Sequence, residues 1–382
     1  DLSHSLHVTR PPPVIRSPFA PRGRSASGSL ALWMLSSTVL RISSRALRKV
    51  TVRLPLTTSC APLSTVADTN EPDRHLKPKV FFTFEKVEEN IFRSAHLTTS
   101  AQTGAHAAYG GLIMSQALAA AEKSLGPEFT PHSLHSYFIL NVDTTIPVDY
   151  VVRRLRDGRS YCTRAVEAVQ NGKVCFSLQA SFHVKEPDSL VHQSVYPSVV
   201  KPADECQELN AASGILLAQI HDGVLKGSEH TRCSLAKMAK SDRTKWLFDL
   251  RCTDTATLFG LGPPPTSFYF WMKSKVPVLA SDPRLHRWLV VFASDACPLA
   301  VMIRPHTKND FNPSMAFSLD HVMHFHHDEI KADEWLLYEL ESTNAAEGRA
   351  FARGRIWRAD GQLLISVTQE ALIRTKGKIS RL

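Results

Sequence analysis

Two polar residues in the second half of the chain are difficult to explain by a purely structural role. Asp295 lies near the C-terminal end of an apolar helical stretch, WLVVFASDACPL, where Pro298 limits further extension. A carboxylate there opposes the helix dipole and is flanked by apolar side chains, and both effects raise its pKa. Gln369 shares strand parity with Val367 and Ala371, so it faces an apolar side where a buried amide needs partners. Both residues are candidates for a functional site, although an aspartate at a helix end can also turn to solvent.

Ser318 is a third polar candidate, which the sequence supports less strongly. It shares strand parity with Ala316 and Asp320, and a single serine on a strand is usually structural. A Ser-His-Asp hydrolase built from Ser318, Asp320 and His321 is disfavoured, because neighbours on one strand cannot align as nucleophile, base and orienting acid. The chain also has no GxSxG elbow.

A histidine-rich run after Ser318 raises the alternative of a metal site. His324 and His326 face one side of a strand, whereas His321 and His327 face the other. The four imidazoles therefore cannot converge on one ion, and the chain has no HExxH or CxxC motif. We predict no bound metal, and because no P-loop or dinucleotide fingerprint is present, we also predict no cofactor.

The elements that must position these residues occur twice along the chain. In residues 78–184 a helical pattern follows Gly110-Gly111, and the alternating runs LHSYFIL, DYVVRRL, YCTRAVEAV and VCFSLQASFHV come after it. Asp157-Gly158 and Asn171-Gly172 are hairpin signals between those runs. One helix followed by an antiparallel meander is an α+β unit whose sheet can wrap the helix.

Residues 246–376 repeat this order. Asp282 and Pro283 cap and open a second helix, and the runs SMAFSLDHVMHF, EWLLYELEST, RAFARGRIWRA and LLISVTQEALI follow it. The two units are joined by a predicted linker, residues 185–245, with one helix expected at 209–225. The chain therefore looks like a tandem duplication.

Similar residues at corresponding positions of the two units support the duplication. Ser133 and Ser318 each precede a leucine, and Gln179 and Gln369 each lie in the middle of a final strand. The first unit thus has apparent counterparts to the serine and the glutamine. Its helix has no carboxylate before Glu122, so we expect one working site in the second unit.

The composition of the chain excludes some classes of function. At 382 residues and 43% hydrophobic, the chain can bury two domain-sized cores. The net charge of +9 arises almost entirely in residues 1–67, which hold nine basic residues and one acidic residue, so the body lacks the positive field of a nucleic-acid binder. The seven cysteines are scattered and indicate reduced thiols inside a cell or organelle. No run of about 18 apolar residues occurs, so we expect no transmembrane helix.

Both ends of the chain resemble targeting signals, and the two signals conflict. Residues 1–77 are predicted to be a disordered leader, and from Met34 the sequence MLSSTVLRISSRALRKVTVRL has the composition of a mitochondrial transit peptide. Whether residues 1–33 belong to the mature protein stays open. In the tail, residues 377–382, Ser380-Arg381-Leu382 is a conservative variant of the Ser-Lys-Leu peroxisomal signal, which would engage an import receptor. We expect a peroxisomal location, with the mitochondrion as the alternative.

Ordered blocks of the body resemble the acyl-CoA thioesterase II family, whose members carry two hotdog folds in one chain and include peroxisomal enzymes. The blocks run from about residue 78 to 376, and their number makes the resemblance specific. They are Phe84-Glu85-Lys86-Val87-Glu88-Glu89, Phe92-Arg93, Gly110-Gly111, Gln116-Ala117-Leu118, His132-Ser133-Leu134-His135-Ser136-Tyr137-Phe138, Leu155-Arg156-Asp157-Gly158, Gln170-Asn171-Gly172-Lys173, Ala180-Ser181-Phe182, Ala293-Ser294-Asp295, Asp320-His321, Glu334-Trp335-Leu336-Leu337-Tyr338, Glu341-Ser342-Thr343 and Gln369-Glu370.

The resemblance implies an α+β tandem hotdog, in which each half is an antiparallel sheet wrapped around a central helix, and hydrolysis of fatty acyl-CoA. The family's catalytic aspartate, threonine or serine, and glutamine fall on Asp295, Ser318 and Gln369. It implies that Asp295 is the general base for an attacking water, which Ser318 and Gln369 orient. No cofactor is implied, since CoA is part of the substrate.

The candidates for substrate contacts lie at the start of the first helix and are Tyr109, Gly110 and Gly111. Backbone N–H groups of Gly110 and Gly111, next to Tyr109, are expected to stabilise the oxyanion, with close helix–sheet packing as the alternative role of the glycines. The sequence departs from the family in two places. The run after Asp320-His321 is Val-Met-His-Phe-His where the family usually has Ser-Met-Trp-Phe-His, and Leu112 stands where an amide is common. Both differences leave acyl-chain preference open.

Two other functions stay open at this stage. One is another hotdog enzyme, such as an enoyl-CoA hydratase, which would need an Asp/His pair placed for water addition. The other is a non-catalytic acyl-CoA-binding protein, which loss of one member of the trio would favour. The assembly state is also open, with a homo-oligomer as one alternative.

Overall fold

The computed structural model describes residues 78–99, 106–198, 200–241, 246–263, 267–279, 281–309 and 311–377. The predicted leader and the tripeptide Ser380–Leu382 lie outside the described residues. The signals proposed at the two ends of the chain therefore stay predictions.

The described residues of the first half form one long helix and six strands. They are β1 (Glu85–Glu88), β2 (Ile91–Ser94), α1 (Gly110–Glu122), β3 (Phe129–Phe138), β4 (Val148–Asp157), β5 (Tyr161–Gln170) and β6 (Lys173–Val184), after a short 3-10 turn at Pro78–Phe82. Helix α1 is surrounded by other helices and strands, and every residue from Gly111 to Glu122 is buried. Asn171 and Gly172 turn the chain between β5 and β6 with φ of 51° and 71°, the backbone that an Asn-Gly hairpin provides.

The connecting segment contains two helices, where the sequence predicted one. Helix α2 (Leu209–His221) ends before Gly223, whose φ is 75°. Helix α3 (Glu229–Ala239) follows, and the Ser228 side chain caps it by accepting a hydrogen bond from the Thr231 N–H. Helix α3 was not predicted from the sequence, because most of its residues are polar or charged.

The second half repeats the order of helix and meander. Its elements are β7 (Phe248–Cys252), α4 (Thr255–Leu258), β8 (Phe268–Ser274), α5 (Pro283–Ser294), α6 (Pro298–Ile303), β9 (Met315–Ser318), β10 (Asp320–Phe325), β11 (Leu336–Ala346), β12 (Arg349–Arg358) and β13 (Leu363–Arg374). Helix α5 begins as the sequence predicts, since the Asp282 side chain accepts a hydrogen bond from the Leu285 N–H and Pro283 opens the first turn.

All the described strands join one antiparallel sheet. The order is β1-β2-β4-β5-β6-β3-β10-β13-β12-β11-β8-β7, and β9 pairs with β13. The two halves meet where β3 pairs with β10, with Ser136 opposite His321. The Ser136 hydroxyl donates to the His321 carbonyl over 2.8 Å. On the core side of this junction α1 packs against α5, so a site at the end of one helix is completed by the other half.

One helical stretch within the described residues, Pro283–Thr307, is long and apolar enough to cross a membrane by length and composition. This stretch was not expected from the sequence, which has no run of about 18 apolar residues. Because 61% of its most apolar window is buried inside the fold, this stretch forms part of the core of the second half.

Candidate active site

Asp295 is the C-terminal cap of α5, and it faces the beginning of α1. A side chain on Gly110 would place its Cβ 2.9 Å from Asp295 Oδ2 and 2.8 Å from the Phe138 ring. A Cβ on Gly111 would overlap the Phe292 carbonyl oxygen. Both glycines are therefore required for the end of α5 to approach the start of α1 this closely. The site consequently belongs to both halves of the chain.

Two buried tyrosines fix the end of α5. The Tyr109 hydroxyl donates to the Phe292 carbonyl over 2.9 Å, and the Tyr338 hydroxyl donates to the Ser294 carbonyl over 3.0 Å. These carbonyls belong to the last turn, where intrahelical partners are missing. The Tyr109 hydroxyl, predicted to contact substrate, is thus committed to holding the backbone that precedes Asp295. Tyr338 was not singled out from the sequence, because its partner lies 44 residues away.

Gln369 and Ser318 lie side by side. The Gln369 Nε2 donates to Ser318 Oγ over 2.7 Å. Ser318 pairs with Ala371 across β9 and β13, so it faces the same side of the sheet as Gln369 two residues away. Gln369 is 1% exposed, as its strand parity predicts.

His321 is a fourth member of this cluster. It is fully buried, its Nδ1 lies 2.6 Å from Gln369 Oε1, and its Nε2 lies 3.1 Å from Ser294 Oγ. From the sequence alone, His321 was a candidate only for a metal ligand or a triad member, and both roles were disfavoured. The signal that could have found it is its parity with buried Met323 on β10, the same kind of signal that pointed to Gln369.

Electrostatics single out Asp295. Burial raises the pKa of its carboxyl to about 7, against smaller lowering effects from hydrogen bonding with Gln369, the Gly111 N–H and Ser318. The groups that stabilise the charged form are therefore dipoles and not cations. A carboxyl with this pKa exchanges protons readily near neutral pH. By contrast, burial lowers the pKa of His321 to about 4, so this imidazole is neutral at pH 7.

The first half does not repeat this cluster. The residue that pairs with Ser136, opposite His321 at the junction, is Leu178. Gln179 lies one position further along and is exposed. The expectation that Gln179 is the counterpart of Gln369 is therefore wrong, because a shift of one residue moves a strand side chain to the other face.

The other histidines of the run point elsewhere. His324 packs edge-on against His135 with ring centroids 5.6 Å apart, while His326 contacts Ser366 and His327 contacts Gln362. Asp320 accepts a hydrogen bond from the Glu370 N–H on the side away from His321. Among the described residues, no group of three or more His, Cys, Asp or Glu is placed to hold a metal ion.

Comparison with known proteins identifies relatives of both halves. Residues 98–183 match the family described as acyl-CoA thioesterase N-terminal domain, and residues 231–373 match its C-terminal domain. The chain is 34% identical to acyl-coenzyme A thioesterase 8 of Mus musculus, over 78% of this chain and 88% of that protein. It is 24% identical to peroxisomal acyl-coenzyme A thioester hydrolase 1 of Saccharomyces cerevisiae, over 72% and 88%.

A solved structure is similar along the same region. It is an acyl-CoA thioesterase II from Mycobacterium marinum, with a TM-score of 0.60 and 28% identity, covering 78% of this chain and 99% of that chain. The predicted tandem hotdog fold is confirmed by this match and by the antiparallel sheet with its two central helices.

Proposed function

This chain belongs to the acyl-CoA thioesterase family, and we propose that it hydrolyses fatty acyl-CoA to a free fatty acid and CoA with a water held by Asp295, Ser318 and Gln369. The observation that carries the proposal is a buried carboxyl with a pKa of about 7, surrounded by an amide, a hydroxyl and the start of a helix. The relatives' names specify an acyl-CoA thioester as substrate, and the fatty acyl chain is part of the proposal.

Asp295 is the general base in this scheme. As water adds to the thioester carbonyl, one water proton passes to the carboxylate and a C–O bond forms. The tetrahedral intermediate then collapses with cleavage of the C–S bond, and the CoA thiolate recovers the proton. Because the atoms balance with water alone, we expect no cofactor.

Ser318 and Gln369 orient the water in this scheme. Gln369 Nε2 donates to Ser318 Oγ, and both side chains also hydrogen-bond the Asp295 carboxyl. A water bound beside this group of three would be held by directed hydrogen bonds instead of by bulk solvent. At the start of α1 the Gly111 N–H hydrogen-bonds the Asp295 carboxyl. The Gly110 N–H is therefore the candidate donor to the developing oxyanion, because helix N-termini favour negative charge.

The contacts of His321 argue against a hydratase-like reaction. Both of its ring nitrogens lie within hydrogen-bond distance of protein groups, Gln369 Oε1 and Ser294 Oγ. An Asp/His pair for addition of water to a double bond needs an imidazole nitrogen that faces substrate. A non-catalytic acyl-CoA binder is also less well supported, because such a protein would have no use for a base with a pKa of about 7.

A panel of saturated acyl-CoA substrates of increasing chain length tests the function, with released CoA read by a thiol reagent. Asp295→Asn should lower kcat at least about a hundredfold, as for loss of a general base. The matched control is Asp320→Asn, a carboxyl on the opposite side of β10, which should stay within about threefold of wild type. In wild type, kcat/KM should fall about tenfold per pH unit below pH 7, because protonated Asp295 cannot accept a proton. Full activity of Asp295→Asn would refute the mechanism.

We further propose a peroxisomal location with recognition by an import receptor. The yeast relative is named as peroxisomal, which agrees with the sequence Ser380-Arg381-Leu382. The choice between this location and the mitochondrion stays a prediction.

A further inference from the structure

We infer that His321 is a positioning residue for this reaction: its Nδ1–H holds the Gln369 amide in the one orientation that turns the amide nitrogen toward Ser318 and Asp295. This inference rests on the proposed function. It assigns His321 no proton transfer and no contact with substrate.

The register of two neighbouring strands sets up the contact. Val322 pairs with Thr368 across β10 and β13, so His321 and Gln369 lie opposite each other on the core side. The resulting distance from His321 Nδ1 to Gln369 Oε1 is 2.6 Å, with both side chains at most 1% exposed. An amide oxygen can only accept a hydrogen bond, so Nδ1 carries the hydrogen.

The orientation of the amide matters because its two ends have opposite polarity. With Oε1 bound to His321, Nε2 donates to Ser318 Oγ over 2.7 Å and to the carboxyl of Asp295. The flipped amide would turn an oxygen toward the carboxylate, which would leave two acceptors facing each other. Rotation of the amide is inexpensive in itself, so a fixed donor behind it is needed to keep the productive orientation.

The other nitrogen of the imidazole faces Ser294. His321 Nε2 lies 3.1 Å from Ser294 Oγ, and this hydroxyl also donates to the Val291 carbonyl over 2.8 Å, so the tautomer is assigned from the contact with Gln369 alone. Burial lowers the pKa of His321 to about 4, so the ring keeps one hydrogen across the working pH range. In the first half, where Ser136 stands opposite His321, the neighbouring strand offers Leu178 and no amide. The histidine thus occurs in the half that has an amide to orient.

Two substitutions that differ in where they place a donor test the inference. His321→Asn keeps an N–H near the position of Nδ1, whereas His321→Gln places its amide near the position of Nε2. We expect kcat of His321→Asn to stay within about fivefold of wild type, and kcat of His321→Gln to fall about thirtyfold, with KM within about twofold in both. Equal losses in the two variants would overturn the inference, as would a loss confined to KM.

A double-mutant cycle with Gln369→Ala separates positioning from general support of the fold. Once the amide is absent, His321→Gln should lower kcat less than about twofold further, because it has nothing left to orient. A second thirtyfold loss on that background would show an independent role and contradict the inference.

Nitrogen NMR of the imidazole gives a readout that does not depend on activity. Wild-type chain labelled with ¹⁵N-histidine should show one neutral ring with hydrogen on Nδ1, assigned to His321 by its loss in His321→Asn. Hydrogen on Nε2 instead would overturn the inference even if His321→Gln failed to fold. If the wild-type chain released no CoA from any acyl-CoA, the proposed function would fail, while the tautomer would still decide the contact with Gln369.

Discussion

The two ends of the α1–α5 helix pair have the same geometry, but only one of them places cations beside its buried carboxyl. The helices lie antiparallel, since the start of α1 meets the end of α5 and the start of α5 meets the end of α1. At each end a carboxyl from the C-terminus of one helix faces the N-terminus of the other, Asp295 at one end and Glu122 at the other. The surroundings of the two carboxyls differ in their cations.

Glu122 is held by donors from the first turns of α5. Its Oε1 accepts from Arg287 over 3.0 Å and its Oε2 accepts from the Trp288 indole over 2.6 Å. Burial raises the pKa of Glu122, and the charges of Arg287 and Arg284 act against that rise. The corresponding turn of α1 offers Asp295 glycines in place of arginines.

This difference shows how one duplicated architecture yields a structural carboxyl and a reactive one. Both groups face a helix N-terminus, so the helix dipole alone does not keep a buried carboxyl strongly acidic. Cations with direct hydrogen bonds tie Glu122 into a fixed ion pair. Asp295 lies next to glycines and neutral dipoles, and no cation opposes the rise of its pKa to about 7.

Removing the carboxylate at the structural end should have the largest effect on stability. Glu122→Gln leaves the Arg287 guanidinium, which is 3% exposed and already has an unpartnered Nε, without its counter-charge. We expect the free energy of unfolding, measured by urea denaturation, to fall by about 3–5 kcal/mol. The exposed Glu128→Gln is the control and should change it by less than about 0.5 kcal/mol.

The same experiment checks whether the two ends have separate roles. Folded Glu122→Gln enzyme should keep kcat within about threefold of wild type, because the acid–base group lies at the other end. A loss of kcat as large as that of Asp295→Asn, at full stability, would remove the distinction between the two ends.

Removing the carboxylate at the reactive end should stabilise the fold, whereas removing Glu122 should destabilise it. The folded pKa of Asp295, about 7, lies above the ordinary value of 3.8, so the protonated form favours folding. That contribution is present below pH 4 and is lost as pH rises through 7. Asp295→Asn should therefore be more stable than wild type by about 2–4 kcal/mol at pH 8.

Urea denaturation at several pH values measures this difference in the free energy of unfolding. The difference between Asp295→Asn and wild type should shrink steadily from pH 8 to pH 5, as wild-type Asp295 takes up its proton. A variant that gains stability and loses activity is the behaviour expected where a buried charge is retained for function. If the difference in the free energy of unfolding stayed constant across this range, Asp295 would not titrate near neutral pH.

Much of this arrangement could be predicted from local patterns in the sequence. Asp295 and Gln369 stand out because each is polar at a position where the helix or strand repeat calls for an apolar residue. In the structure Gln369 is fully buried and Asp295 is partly buried. The hairpin turn at Asn171-Gly172 and the cap at Asp282 depend on neighbouring residues and were found for the same reason.

What could not be predicted depends on partners that are distant in sequence. Arg287 and Glu122 are 165 residues apart, and His321 and Gln369 are 48 apart. No pattern within one element indicates which helix end faces which, so the ion pair at Glu122 and the tyrosine contacts of α5 were missed. Gln179 is a different case, because the alternation within β6 already places Leu178 on the buried face with Phe176 and Ala180, and this local signal was overlooked.

The smallest expected effect concerns the two glutamines that the sequence makes look equivalent. Gln369→Ala should lower kcat about thirtyfold, because it removes the donor to Ser318 and Asp295. Gln179→Ala should change kcat by less than about twofold and stability by less than about 0.5 kcal/mol, because Gln179 is exposed on the outer face of β6. Parallel kinetics on a single acyl-CoA would measure both. If the two variants lost activity equally, the outward position of Gln179 would be contradicted, and the first half would contribute an amide to the chemistry after all.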